Sequence, residues 1–138
     1  MSKALSFVQD ILRCPLCAGS LNVGDSVVKC ELGHSFDISR QGYVNFLGQS
    51  KFMKNADTAA MVDARQKMHS RPFFHDLSQQ IAQTCDGLCR SVPQPIIVEP
   101  GGGTGFYAHV VSQIVGNARA VSFDISVHAA KVCARQSE

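Results

Sequence analysis

The apolar positions of this chain change period several times, and the changes divide it into elements. Ile96-Ile97-Val98 is a short continuous apolar run. Val110, Val111, Ile114 and Val115 then recur at helical spacing, and a second apolar run, Ala120-Val121-Ser122-Phe123, ends on Asp124. The pattern predicts a buried strand, a glycine-rich loop, a helix over about 104–115, a second buried strand, and a last helix capped by Ser126. That order is the first half of a nucleotide-type cofactor site in an α/β domain. Upstream, Met61, Ala64 and Met68 fall on one face of a predicted helix that starts near Asp57 or Thr58. Pro72 restarts the chain, and Phe74, Leu77 and Ile81 carry a second helix as far as Cys85, with Gly87 as its stop. Near the N-terminus the period shortens. Leu21 to Lys29 reads as a hairpin around Gly24-Asp25, and Phe36 and Ile38 alternate with polar residues as a further strand.

The loop itself reads Glu99-Pro100-Gly101-Gly102-Gly103-Thr104-Gly105. Gly101, Gly103 and Gly105 allow sharp turns and close approach of the backbone to a ligand. The spacing argues against two common cofactor loops. A dinucleotide fingerprint needs a third glycine where Phe106 stands, and a phosphate-binding P-loop needs a Gly-Lys-Ser/Thr ending that is absent. Glu99 would repel a pyrophosphate but suits an ammonium group. Asp124, at the end of the second strand, is placed for two ribose hydroxyls. S-adenosylmethionine carries both features. The helix after the loop would direct free N–H groups at the cofactor's carboxylate. The plain alternative is a surface glycine loop that binds nothing.

Cys14-Pro15-Leu16-Cys17 is followed after twelve residues by Cys30-Glu31-Leu32-Gly33-His34. Two close-spaced pairs, each presented by a turn, match Cys3His zinc-ribbon ligation by Cys14, Cys17, Cys30 and His34. Such a donor set leaves no open position, so the zinc is structural, and it supplies folding energy to a segment too short for a large core. A redox Cys-x-x-C pair is the alternative. Tyr43 and Phe46 read as cover for this small core, with base stacking as their other use. Arg40 is a candidate RNA contact. Residues 48–55, with Lys51 and Lys54, read as a linker. Phe7, Val8, Ile11 and Leu12 are available for packing. Cys85 and Cys89, separated by Gly87, and Cys133 read as small apolar fillers. His69 and His75 read as ordinary surface or boundary residues, with the cofactor pocket as the alternative for His69.

Composition adds little beyond limits. The 138 residues are 45% hydrophobic and 17% charged with net charge +2, ordinary for a globular chain of one domain, or of one module plus part of another. Residues 1–54 hold six Lys/Arg against four Asp/Glu, a mild basic excess open to RNA phosphates. No membrane-length apolar run and no leader pattern occurs, and cysteines spaced for metal suit the reducing cytoplasm.

Taken in order, Cys14-Pro-Leu-Cys17, Cys30-Glu-Leu-Gly-His34-Ser-Phe-Asp37, Gly42-Tyr43-Val44-Asn45, Met61…Ala64-Arg65 and Glu99-Pro-Gly101-Gly-Gly103-Thr-Gly105 resemble the bacterial large-subunit ribosomal RNA guanine-N1 methyltransferases, including the branch that confers resistance to tylosin-type macrolides. The resemblance implies a zinc-ribbon-like β module at residues 1–50 that helps recognise a ribosomal RNA hairpin. A helical linker region at 51–92 follows. Residues 93–138 would be the first part of a Rossmann-like class I methyltransferase domain that uses S-adenosylmethionine. It implies zinc on Cys14, Cys17, Cys30 and His34, and cofactor contacts from Glu99, Gly101, Gly103, Gly105 and Asp124. Glu99 stands where the family usually has aspartate, and Gly102 where some relatives have cysteine. Family members run roughly as many residues again. A chain of this length is therefore expected to lack the adenine contacts and the guanine wall, to offer no assignable catalytic residue, and to leave a sheet edge open to a homodimer or a completing polypeptide. The competing readings are a zinc-dependent RNA-binding module or remnant without catalysis, and a zinc-stabilised interaction protein.

Overall fold

The computed structural model describes residues 3–48 and 54–136. It is mixed α/β: an antiparallel β module lies at the N-terminus, and helices and a parallel sheet follow. Helix α1 spans Lys3–Phe7. Strands β1 (Leu21–Val23), β2 (Val27–Cys30) and β3 (Ser35–Asp37) form a three-stranded sheet in that order. Gly24 N–H donates to the Val27 carbonyl and closes the predicted hairpin. Val8, Leu12, Cys14, Leu21, Val28 and Cys30 form the buried centre of this module. Phe46 packs on the same centre, edge-on to Phe36 at 5.0 Å between ring centroids, so its role here is packing. Of the linker at 48–55, residues 49–53, including Lys51, lie outside the described residues.

Helix α2 spans Ala59–His69, capped by Thr58, whose hydroxyl accepts the Met61 N–H. The buried face of α2 differs from the expected one. Val62 is buried, whereas Met61 and Met68 are 52% and 47% exposed and Ala64 is exposed too. The apolar stripe of this helix is weak, and contact with the last helix, α5 (Val127–Arg135), rather than side-chain periodicity decides which face turns inward. A 3₁₀ turn at Pro72–Phe74 leads into α3, His75–Cys89. Gly87 does not stop α3, which runs through it to Cys89. A glycine inside a helix costs about 1 kcal/mol, and the long contact of α3 with the following helix, α4 (Phe106–Ile114), outweighs that. Cys85 and Cys89 therefore share one helix four residues apart. Both pack on Ala82, Val111 and Val115, in keeping with their reading as fillers.

Strands β4 (Ile96–Pro100) and β5 (Arg119–Phe123) are parallel, joined by α4 (Phe106–Ile114), and α5 (Val127–Arg135) follows. The expectation of two buried strands is only half met. Ile97 faces the helices, but Ile96 and Val98 on the opposite face are 43% and 55% exposed, as is Phe123 at 42%. A doubly wound sheet is buried on both faces only when helices cover both. Here helices cover one face of two strands. On the other, Val121 packs on the core of the N-terminal module. Arg119 adds a polar tie, donating to the Asp10 carboxylate at 2.5 Å and to the Phe7 carbonyl at 3.3 Å.

Candidate metal centre and cofactor loop

The four predicted ligands converge. Cys14 Sγ and Cys30 Sγ lie 3.6 and 3.4 Å from His34 Nδ1, Cys17 Sγ lies 3.7 Å from Cys30 Sγ, and all four donor atoms fall within 4.8 Å of one another. Zinc–sulfur and zinc–nitrogen bonds of about 2.3 and 2.0 Å imply tetrahedral edges of roughly 3.5–3.8 Å. The cluster therefore fits one zinc ion held by four protein ligands. Two backbone turns set it. Ala18 N–H donates to the Cys14 carbonyl and Gly33 N–H to the Cys30 carbonyl, and Ala18 and Gly33 both take positive φ, 58° and 84°. Each turn folds a ligand pair back on itself. Cys14 and Cys30 are buried in the hydrophobic centre while Cys17 and His34 close the site from outside.

The glycine loop stands between β4 and α4. Gly101, Gly103 and Gly105 take φ of 68°, 57° and 75°, a region that L side chains rarely enter. Gly105 has a second constraint, because a Cβ there would run into Cys133 of α5 at 2.5 Å. Gly102 is not in that region, yet it has the least space. A Cβ on it would collide with the Ser122 hydroxyl and the Glu99 carboxylate. Glu99 and Ser122 are paired in the parallel register, so their side chains leave the sheet on the same face, beneath the loop. Burial pushes the Glu99 carboxyl above the usual range, and the nearby Asp124 charge adds to this, while hydrogen bonds from Ser122 and the Ala108 backbone oppose it. Glu99 Oε2 is buried without a hydrogen-bond partner among the described residues.

Asp124 is tied on both sides. Its Oδ2 accepts the Gly103 N–H at 2.8 Å and its Oδ1 accepts the Ser126 N–H at 2.7 Å. Ser126 caps α5 through Ala129 N–H, as expected, and its hydroxyl donates to the Asp57 carbonyl at 2.7 Å. Asp57 in turn pairs with Arg65 at 2.6 Å. A polar chain thus runs from α2 through α5 to the loop. Ser126 is legible in the sequence as a cap and Arg65 as part of a motif, but only the fold brings both beside the loop. Ser122 carries no such sequence signal, and only the register of β4 and β5 brings it opposite Glu99. His69 stacks on Phe106, the first residue of α4, at 4.2 Å between centroids. Its imidazole is held below the usual range by burial and by Arg65.

A cleft of about 500 Å³ opens between the zinc-bearing module and the loop. Gly101, Phe123, Asp124 and Ile125 line one wall, and Tyr43, Phe46 and Leu47 line the other. No described helix is long and apolar enough to cross a membrane.

Residues 12–51 match the zinc-ribbon family described as RlmA, N-terminal. Over 124 residues the sequence is 36% identical to a 23S rRNA (guanine(748)-N(1))-methyltransferase of Streptomyces fradiae, covering 90% of this chain and 44% of the relative. It is 36% identical over 141 residues to a putative 23S rRNA (guanine-N(1)-)-methyltransferase of Micromonospora griseorubida, covering 90% and 47%. A Bacillus subtilis protein of the same description is 38% identical over 86 residues, 60% of this chain and 29% of that one. The chain spans about half the length of the first two of these curated relatives. The resemblance seen in the motifs is thus a similarity to 23S rRNA guanine-N1-methyltransferases that extends through nine-tenths of this chain.

Proposed function

We propose that this chain carries the zinc module and the cofactor loop of a methyltransferase that uses S-adenosylmethionine to modify N1 of a guanine in a large-subunit ribosomal RNA hairpin. The observation that carries the reading is the pairing of two acids around one glycine loop. The orphan Oε2 of Glu99 suits the ammonium end of an amino acid. Each oxygen of Asp124 accepts one backbone N–H and keeps lone-pair capacity for a ribose hydroxyl. Gly101, Gly103 and Gly105 complete the set, and Ile125 and Phe123 offer apolar cover in the adjoining cleft. Once bound, S-adenosylmethionine supplies an activated methyl group. The chain's own residues bind and orient it, and no residue here is assigned a catalytic role.

The zinc module is read as the part that meets RNA. Arg40 is exposed on it and Tyr43 lines the cleft between it and the glycine loop. The division into residues 1–50, 51–92 and 93–138 belongs to the same proposal, as do a cytoplasmic setting and a second polypeptide, either another copy or a completing chain, on the open sheet edge.

The test is calorimetric titration of the zinc-loaded chain with S-adenosylhomocysteine, with Asp124→Ala as control. Saturable binding that the control loses is the expected result. An absence of heat from a chain that holds its zinc overturns the cofactor reading and leaves a zinc-dependent RNA-binding module.

A further inference from the structure

The two acids of the loop leave an electrostatic problem. An amino-acid cofactor has a carboxylate as well as an ammonium, and Glu99 and Asp124 both repel it, so a cation is called for beside the free N–H groups at the start of α4. Nη1 of Arg65 lies 3.6 Å, and its Cδ 3.9 Å, from the position that a Cβ on Gly103 would take. The guanidinium of α2 thus stands over the middle of the loop, where the missing side chain leaves the backbone open. Nη2 is committed to Asp57 at 2.6 Å. Nη1 has no such partner among the described residues and faces the loop. Asp57 is itself fixed, because its carbonyl accepts the Ser126 hydroxyl. The Arg65 side chain is 46% exposed, so a ligand can reach it. His69, one turn further along α2, is held below the usual imidazole range by burial and by Arg65 itself.

We propose that Arg65 binds the carboxylate of the cofactor's amino-acid moiety, with Asp57 as the positioning residue that aims its guanidinium, so that α2 is a wall of the cofactor site. This rests on the cofactor reading above and extends it to a residue outside the strand–loop–strand unit. Arginine suits the task because its planar fork serves Asp57 with one nitrogen and the ligand with another. A lysine at the same place serves both less well.

The test compares S-adenosylhomocysteine with its decarboxylated analogue, which keeps the adenosine, sulfur and amine and lacks the carboxylate. Dissociation constants are measured for the zinc-loaded chain and for Arg65→Gln, Arg65→Lys and Asp57→Asn, with zinc content and the amide spectrum as fold controls. Arg65→Gln is expected to weaken S-adenosylhomocysteine by about tenfold or more, the scale of a lost charge-assisted hydrogen bond. It should leave the decarboxylated analogue within about twofold by the same principle. Arg65→Lys and Asp57→Asn should fall between. Equal affinity of Arg65→Gln and the parent chain for S-adenosylhomocysteine overturns this proposal alone, as does an equal loss for both ligands. A parent chain that binds neither ligand overturns the cofactor reading and this proposal together.

Discussion

Asp124 holds Gly103: the carboxylate at the end of β5 accepts the N–H of the central loop glycine at 2.8 Å. Through its other oxygen it also fixes Ser126, the cap of α5. One side chain thus locks the loop to the helix that follows the second strand. Gly103 can take this position because its φ of 57° turns its N–H inward.

The first prediction concerns this lock. Asp124→Ala removes a charged acceptor from two backbone N–H groups, each bond worth about 1.5–3 kcal/mol at most and less in a half-exposed setting. Amide hydrogen exchange at Gly103 and Ser126 should accelerate in the variant. Asp124→Asn keeps one carbonyl oxygen and should protect one of the two. Unchanged exchange at both sites in Asp124→Ala refutes the lock.

How much of this was legible in the sequence depends on how local each feature is. The zinc ligands were readable because each pair sits in one turn, and a turn is set by neighbours in sequence. The strand, loop, strand and acid were readable for the same reason. What escaped depends on distant parts. Whether Ile96 and Val98 are covered depends on which elements lie over that face of β4, and their own pattern does not carry this. Gly87 is a helix stop by local preference, but α4 packs along α3 and carries the helix past it. Ser122 becomes part of the site only because the parallel register sets it against Glu99.

A second prediction follows from the division of the core. Cys14 and Cys30 are at once zinc ligands and buried members of the N-terminal hydrophobic centre. Metal removal should therefore unfold β1, β2 and β3 together, since binding energy and folding energy are coupled in such a module. The core of Ala82, Val111 and Val115 shares none of those residues and should lose less. Nuclear magnetic resonance during chelation separates the two: amide signals of Val23, Val28 and Phe36 should collapse first. Their persistence after complete zinc loss would show that the metal is not structural.

A third prediction isolates sterics from backbone strain. Gly102 has no positive φ, so alanine meets no conformational penalty there, but its Cβ would meet Ser122 and Glu99. Gly102→Ala should destabilise the chain by about 1–3 kcal/mol, as overpacking does. Adding Ser122→Gly should recover part of the loss. A Gly102→Ala chain with the melting temperature of the parent contradicts the crowding seen here.

The last prediction sets stability against binding at Glu99. Burial raises its carboxyl above the ordinary glutamate value of about 4.3, so the folded chain holds this proton to higher pH than the unfolded chain does. Between those two values the native state binds more protons, and stability falls as pH rises through the window. Above it, the ionised and partly unpartnered carboxylate is a standing cost. Glu99→Gln removes that cost while a side-chain oxygen remains to accept from Ser122 and the Ala108 backbone. The variant should be more stable than the parent at neutral pH, and the difference should shrink as pH drops below the glutamate range. It should also bind S-adenosylhomocysteine more weakly, because a neutral amide replaces the acid that faces the ammonium, a trade common at binding sites. Thermal unfolding of both chains from pH 4 to 8 gives the sign directly. A Glu99→Gln chain that is less stable at pH 7 would mean that the carboxylate is fully satisfied beneath the loop and not held in reserve for a ligand.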